Sequence, residues 1–340
     1  MSFGSSRWKT WVKDERESLE LIGKAYRAGI NFFDTADMYS NGESERLLGK
    51  AIKKFDIPRS QIVIATKVFF NVFDDVSRQC SWDKRNECTF EYANTLGTSR
   101  KHLFDAVDAS LERLGVGYID LYQIHRFDPV SFRSYHIYLC MLMNTLLKQT
   151  SIEETMEALN DLVRSGKVRY IGASSGYAWQ FQKANAIAER NGWAKFVSMQ
   201  NFYNLLYREE EREMIPYCQD SGIAIIPWSP LAKGYLAGRN RKTARTSSDM
   251  SIPFLFQTEE DSNNNAIINR VVKIAVNYKR SPAQIALAWL LSKPYVTAPI
   301  VGITDGSQID DMIGSLEIRL SKEDIKYLEE IYEPHRVRGI

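Results

Sequence analysis

Residues 62–67 read IVIATK. Three β-branched residues open the run, and no polar residue interrupts it before Thr66 and Lys67. A strand with one wet face alternates apolar and polar positions. An unbroken apolar run instead expects cover on both faces, as a parallel sheet provides. Similar runs lie on either side, at Ile30–Asp34, Ile119–His125, Val168–Ala173, Phe196–Gln200, Ala224–Trp228 and Thr297–Val301. Between them, apolar residues recur at three- and four-residue spacing, which predicts helices. These are Leu19–Ala28, Glu43–Lys54, Lys101–Leu114, Ile152–Ser165, Trp179–Arg190, Glu209–Asp220, Asn263–Tyr278 and Pro282–Leu291. Glycine follows directly at Ala28-Gly29, Leu114-Gly115 and Ser165-Gly166, as at helix C-termini.

Strand and helix in alternation predict βαβ units around a parallel sheet. A doubly wound nucleotide-binding sheet would carry GxGxxG after its first strand, and neither that motif nor GxxxxGK[ST] occurs. Evenly spaced strands over a single domain, 1–340, fit a (β/α)8 TIM barrel, usually about 250 residues long. Seven strands are countable. The eighth would precede Ile30, where residues 1–16, MSFGSSRWKTWVKDER, are too polar to supply it. The expectation is a barrel lacking its first strand, with two unpaired edges. Two segments break the rhythm. Residues 68–99 form a long loop on the face where barrel active sites lie. Residues 131–150 form an atypical insert with an apolar core at Ile137–Met143, read as a short packed helix or as translated non-coding sequence.

A net charge of +2 speaks against general nucleic-acid binding. No apolar run reaches the roughly 18 residues of a membrane span, and no leader pattern is present, so the chain is expected to be cytoplasmic. Cys80, Cys88, Cys140 and Cys218 form no CxxC pair, and the four histidines lack ligand spacing, so no metal is expected.

Polar groups close three successive strands: Asp34 in FFDTADMY, Lys67 in IVIATK and His125 in DLYQIH. Tyr39 lies five residues past Asp34. In a parallel barrel such strand ends converge on one face. An Asp-Lys pair is tolerated there when paired. The ammonium beside a phenol would lower its pKa from about 10, making Tyr39 a proton donor near neutral pH. His125 could orient a carbonyl oxygen. Singly, each residue has a bland reading: Asp34 as a helix cap, His125 as a bonded core residue. The case rests on all four standing at consecutive strand ends.

The segments GINFFDTADMYSNGESERLLGKAI, QIVIATKV, SLERLGVGYIDLYQIHRFD, GKVRYIGASS, QNFYNLLYRE and IIPWSPLAKGYLAG resemble the aldo-keto reductases, in particular their aryl-alcohol-dehydrogenase-like branch. The resemblance covers nearly the whole chain. It implies a catalytic tetrad of Asp34, Tyr39, Lys67 and His125. It also implies NADPH/NADP+ bound without a Rossmann domain, and hydride delivery to a small-molecule carbonyl. Ser174 and Gln200 would hold the nicotinamide carboxamide, with Ser175 where many members have Asn. Trp228 would stack on the ring, and Ser229 and Leu231 would meet the pyrophosphate. In GITDGSQIDDM, Thr304, Gln308 and Asp311 match the segment gripping the adenosine 2′-phosphate, and Met312 replaces the usual Asn. Lys233, or Arg239, Arg241 and Lys242, would supply the base. Phe69, Phe70, Trp82 and Phe127 suggest an aromatic or hydrophobic substrate. Met1 falls inside a motif, so the chain reads as N-terminally truncated. The rival readings are an NADPH-binding regulatory subunit, a disabled truncated product and, more distantly, a barrel hydrolase.

Overall fold

The computed structural model describes residues 1–79, 90–92, 94–128, 150–238, 243–249, 251–255 and 262–339. The insert at 131–150, Trp82, Arg239, Arg241 and Lys242 lie outside the described residues, save Thr150 at the insert's end. Six strands pair in parallel in chain order: β1 Phe32–Asp34, β2 Val63–Val68, β3 Ile119–Ile124, β4 Val168–Ser174, β5 Phe196–Gln200 and β6 Ala224–Ile225. The run expected at Thr297–Val301 extends the sheet by single parallel bridges, Val296 to Ile225 and Ile300 to Trp228, rather than as a continuous strand.

Parallel neighbours need a crossover, and helices supply it. α1 Glu15–Arg27 precedes β1. α2 Glu43–Lys54, α3 Arg100–Leu114, α4 Ile152–Arg164, α5 Ala178–Asn191 and α6 Met214–Asp220 connect the strands in turn. After β6 come α7 Ala244–Ser248, α8 Ile252–Leu255, α9 Ser262–Tyr278, α10 Pro282–Leu291, α11 Gly306–Gly314 and α12 Lys322–Glu329. Ser99, Ser151 and Ser281 open α3, α4 and α10 by accepting a first-turn N–H. Gly115 closes α3 at φ 65°. One expected helix divides. Glu209–Glu211 forms a 3-10 turn, and α6 begins only at Met214. Pro216 cannot extend a helix N-terminally without clashing with a carbonyl four residues back, so it sits in the first turn. Glu209 is meanwhile drawn to Arg212 and, at 2.7 Å each, to the Tyr332 hydroxyl and His335 N–H.

The sheet is a barrel. In a flat sheet β1 and β5 would stand roughly 19 Å apart at four strand spacings. Instead Gln200 Nε2, ending β5, donates to Asp34 Oδ2, ending β1, at 2.8 Å. The helix layer closes too: Lys24 of α1 donates to the Gly306 carbonyl of α11 at 2.7 Å. At the seam, Ser2 lies against Gly302, and Phe3 packs with Leu21, Ala25, Ile303 and Ile309. Residues 1–4 therefore occupy part of the position for which no strand was countable.

Apolar faces of the helices and the outward side chains of the strands form one continuous core, including Leu48, Ile64, Leu103, Tyr122 and Phe181. Each fully buried side chain of this kind contributes about 1.5–3 kcal/mol. α2 and α3 approach so closely that a Cβ on Gly49 would stand 2.3 Å from the Leu114 carbonyl oxygen. Only glycine fits there. Among the described residues no helix is long and apolar enough to cross a membrane.

Candidate active site

Side chains alternate along β2. Thr66 points out to the helices and Lys67 points into the barrel. Lys67 is fully buried and donates to Asp34 Oδ1 at 2.5 Å and to the Thr35 carbonyl at 2.8 Å. Its ammonium stands 5.2 Å from the centre of the Tyr39 ring. Asp34 is held from its other oxygen by Gln200 at 2.8 Å and Gln123 at 3.2 Å. The Tyr39 and His125 rings meet edge to face, 5.7 Å between centres, and Phe70 packs edge-on to His125 at 5.2 Å. Asp34, Tyr39, Lys67 and His125 thus form one cluster at the strand ends. In the DTAD segment Asp37 accepts from the adjacent Met38 N–H, and the N-cap of the following helix α2 is Gly42.

The electrostatics differ from the expectation at one point. Burial raises the Tyr39 pKa, and this outweighs the opposing pull of Lys67, so the phenol titrates above its ordinary value rather than below it. For Lys67, burial works to lower the pKa, but the Asp34 carboxylate and the Tyr39 phenol outweigh it. Its charge is therefore secure. His125 is held well below its ordinary value by burial, then by Arg126 and Lys67, so its imidazole is neutral. Its Nδ1 is buried without a hydrogen-bond partner.

Ser174 and Gln200 end β4 and β5 on the same face and are both buried. Trp228 Nε1 donates to Ser175 Oγ at 3.0 Å, and its ring stacks on Phe202 with 4.5 Å between centres. Past Trp228 the chain turns through left-handed backbone at Ser229, Ala232 and Lys233, with φ of 53°, 47° and 56°. Non-glycine residues hold such angles where the surroundings enforce them, commonly at ligand-binding turns. Leu231 lies within this turn, half-buried.

Other expected cofactor residues are committed within the chain. Lys233 pairs with Asp249 at 3.0 Å and also bonds Ser251; burial lowers its pKa to about 8. Gln308 accepts the Thr304 N–H at 2.8 Å and completes the capping box of α11 with Asp305. Asp311 accepts from Ser281 at the start of α10. None of Thr304, Gln308 and Asp311 touches the tetrad.

Sequence reading missed three neighbours. Gln123 shares Asp34 with Gln200, Arg126 extends from His125, and Lys24 stands against Gly306 and Asp310 at the start of α11. Period-two alternation could have flagged Gln123, two residues before His125. Lys24 reaches α11 only through closure of the ring. Of the aromatics expected near the site, Phe70 reaches it, whereas Phe127 packs against Gly176 and Phe196 in the core. Among the described residues no group of metal-binding side chains gathers.

Residues 1–333 match the profile of the aldo/keto reductase family. Versiconal hemiacetal acetate reductase of Aspergillus parasiticus is 49% identical over 341 residues, covering 99% of this chain and 93% of that one. A Schizosaccharomyces pombe chain, whose name places it with the aryl-alcohol dehydrogenases, is 47% identical and covers 100% of this chain and 92% of its own. A Fusarium vanettenii aldo-keto reductase is 43% identical, covering 100% of this chain and 88% of its own.

Proposed function

This chain belongs to the aldo/keto reductase family, and from that premise we propose that it reduces aldehydes or ketones to alcohols, reversibly, with NADPH. Tyr39 is the proton donor and the substrates are aromatic or hydrophobic carbonyls. The observation that carries this reading is the fully buried Lys67–Asp34 pair set against the Tyr39 phenol, with a neutral His125 across from it.

The residues support each role in turn. A phenol whose pKa is raised keeps its proton at neutral pH, as a general acid for reduction requires. Giving up that proton leaves a phenolate, and the Lys67 charge beside it stabilises that state. Asp34, fixed by two glutamine amides, keeps Lys67 charged and in place. His125, being neutral, does not compete for the proton and can direct a ring N–H at the carbonyl oxygen.

The nicotinamide cofactor, when bound, supplies the reducing equivalents. Ser174 and Gln200 would hold its carboxamide, and Trp228 would offer an aromatic face. The strained turn from Ser229 through Leu231 to Lys233 would present backbone N–H groups to the pyrophosphate. Thr304, Gln308 and Asp311 would lie along the adenosine side at the start of α11, where Lys24 adds a positive charge beside Gly306. Lys233 would exchange Asp249 for phosphate. Phe70 beside His125 favours an apolar substrate wall.

The test is NADPH oxidation, followed by absorbance, with a nitrobenzaldehyde. Tyr39→Phe and NADH run in parallel. Expected is turnover favouring NADPH and a fall in kcat of about 10²–10⁴ in Tyr39→Phe. A folded protein that binds NADPH and turns over no carbonyl would overturn the enzymatic reading.

A further inference from the structure

Arg126 follows His125 at the end of β3 and is half-buried. Its Nη1 donates to the His125 carbonyl at 2.7 Å. That uses one of the five N–H donors of a guanidinium. Among the described residues no carboxylate pairs with it. The carboxylate nearest in sequence, Asp128, is turned the other way and accepts from Thr98 N–H and Oγ1 at 3.2 and 3.0 Å. The Lys233 and Arg245 cations differ in this respect, since both share Asp249 as counter-ion.

A half-buried guanidinium with no carboxylate beside it among the described residues is costly, and its partial loss of solvent lowers its pKa to about 10. Arg126 stands directly after His125 at the strand-end face where Asp34, Tyr39 and Lys67 also gather, and its charge bears on both Tyr39 and His125. Trp8 and Trp11 pack with Tyr39 in one apolar cluster, and the indole Nε1 of each is buried without a partner. Buried donors without partners are rare, and each marks a place where an acceptor is absent. The surroundings of Tyr39 and His125 therefore combine aromatic side chains, two idle neutral donors and one cation that no carboxylate pairs with among the described residues.

We propose that Arg126 is a specificity residue that binds an anionic oxygen of the carbonyl substrate, a carboxylate or an ionised phenol on the ring bearing the aldehyde or ketone. The planar fork of a guanidinium matches such oxygens in geometry and in charge. This deepens the proposed reductase reading and rests on it for turnover, but the anion site itself can be tested by binding alone.

Two measurements separate the two ideas. The first compares kcat/KM for 4-carboxybenzaldehyde, 4-hydroxybenzaldehyde and methyl 4-formylbenzoate in the wild type, Arg126→Met and Arg126→Lys. The wild type is expected to favour the carboxylate over its ester by about tenfold or more. In Arg126→Met that ratio falls to near unity, and Arg126→Lys restores part of it. The response of 4-hydroxybenzaldehyde above and below its phenol pKa distinguishes phenolate from carboxylate as the preferred anion. The second measurement is calorimetric binding of benzoate and benzamide to the NADP+-loaded protein. Benzoate is expected to bind at least about tenfold more tightly, and Arg126→Met is expected to abolish the difference.

Equal losses for the acid and the ester would overturn the proposal and leave Arg126 a positioning residue for His125. So would a wild type indifferent to charge in both measurements. Benzoate selectivity that disappears in Arg126→Met, in a protein that reduces no carbonyl, would support the anion site while overturning the reductase reading.

Discussion

Thr66 and Lys67 are neighbours on β2, and each reaches a buried carboxylate on the opposite side of the sheet. Outside the barrel, Thr66 Oγ1 donates to Glu45 Oε1 at 2.6 Å, and Arg113 Nε donates to Glu45 Oε2 at 2.6 Å. Inside, Lys67 meets Asp34 at 2.5 Å. Both acids are almost wholly buried: Glu45 side-chain exposure is 0% and that of Asp34 is 5%. The two pairs differ in where the last donor goes. Arg113 spends a further N–H on Ser110, a helix residue of its own α3. Lys67 gives a further N–H to the Thr35 carbonyl and stands 5.2 Å from the centre of the Tyr39 ring. Similar ionic chemistry therefore clamps helices on one face of a strand and sets a cation beside Tyr39, the proposed proton donor, on the other.

The sharpest way to break this comparison is to unpair each side. Lys67→Met is expected to lower kcat by about 10²–10⁴. It is also expected to cost about 3–5 kcal/mol of stability, because Asp34 stays buried and unpaired. Glu45→Gln is expected to cost a similar amount in urea denaturation through Arg113. Its kcat, measured where the protein is folded, should change by less than about threefold, since the site is on the other face of the sheet. Comparable kcat losses in the two variants would mean the faces are coupled and the distinction fails.

A smaller effect concerns pH. His125 and His102 are both held below their ordinary pKa of 6.5, each chiefly by burial. The unfolded chain therefore takes up protons near pH 6.5 that the folded chain refuses. Acidification below that point favours unfolding, and stability is fully present only above it. Each histidine can contribute a slope of up to about 1.4 kcal/mol per pH unit. Urea midpoints at pH 7.5 and 5.5 should differ, and the difference should shrink in His125→Asn. An unchanged difference would show that His125 is free to charge in the fold.

The smallest expected change is at Gln123. Gln123→Leu removes one of the two amides holding Asp34 and leaves Gln200 at 2.8 Å. About 1 kcal/mol of stability and a few-fold loss in kcat are expected. A loss as large as that of Lys67→Met would mean that Gln123, not Gln200, sets the position of Asp34.

The order of elements and the strand-end positions of Asp34, Lys67 and His125 were fixed by local pattern. Two-face burial leaves unbroken apolar runs, and a polar residue closing such a run is visible without coordinates. Serine caps and glycine stops bounded the helices for the same local reason. Tertiary structure decided what depends on groups distant in the chain. Closure brought Gln200 to Asp34 across 166 positions and Lys24 to Gly306 across 282. It buried Tyr39 deeply enough that desolvation overcame Lys67 and raised the phenol, reversing the direction that proximity alone suggests. It tied Asp311 to the Ser281 hydroxyl that caps α10, and among the described residues it brought no carboxylate to Arg126. Periodicity records which face of an element is covered. It does not record how much solvent a charge loses or which partner reaches it, because both depend on where the rest of the chain has folded.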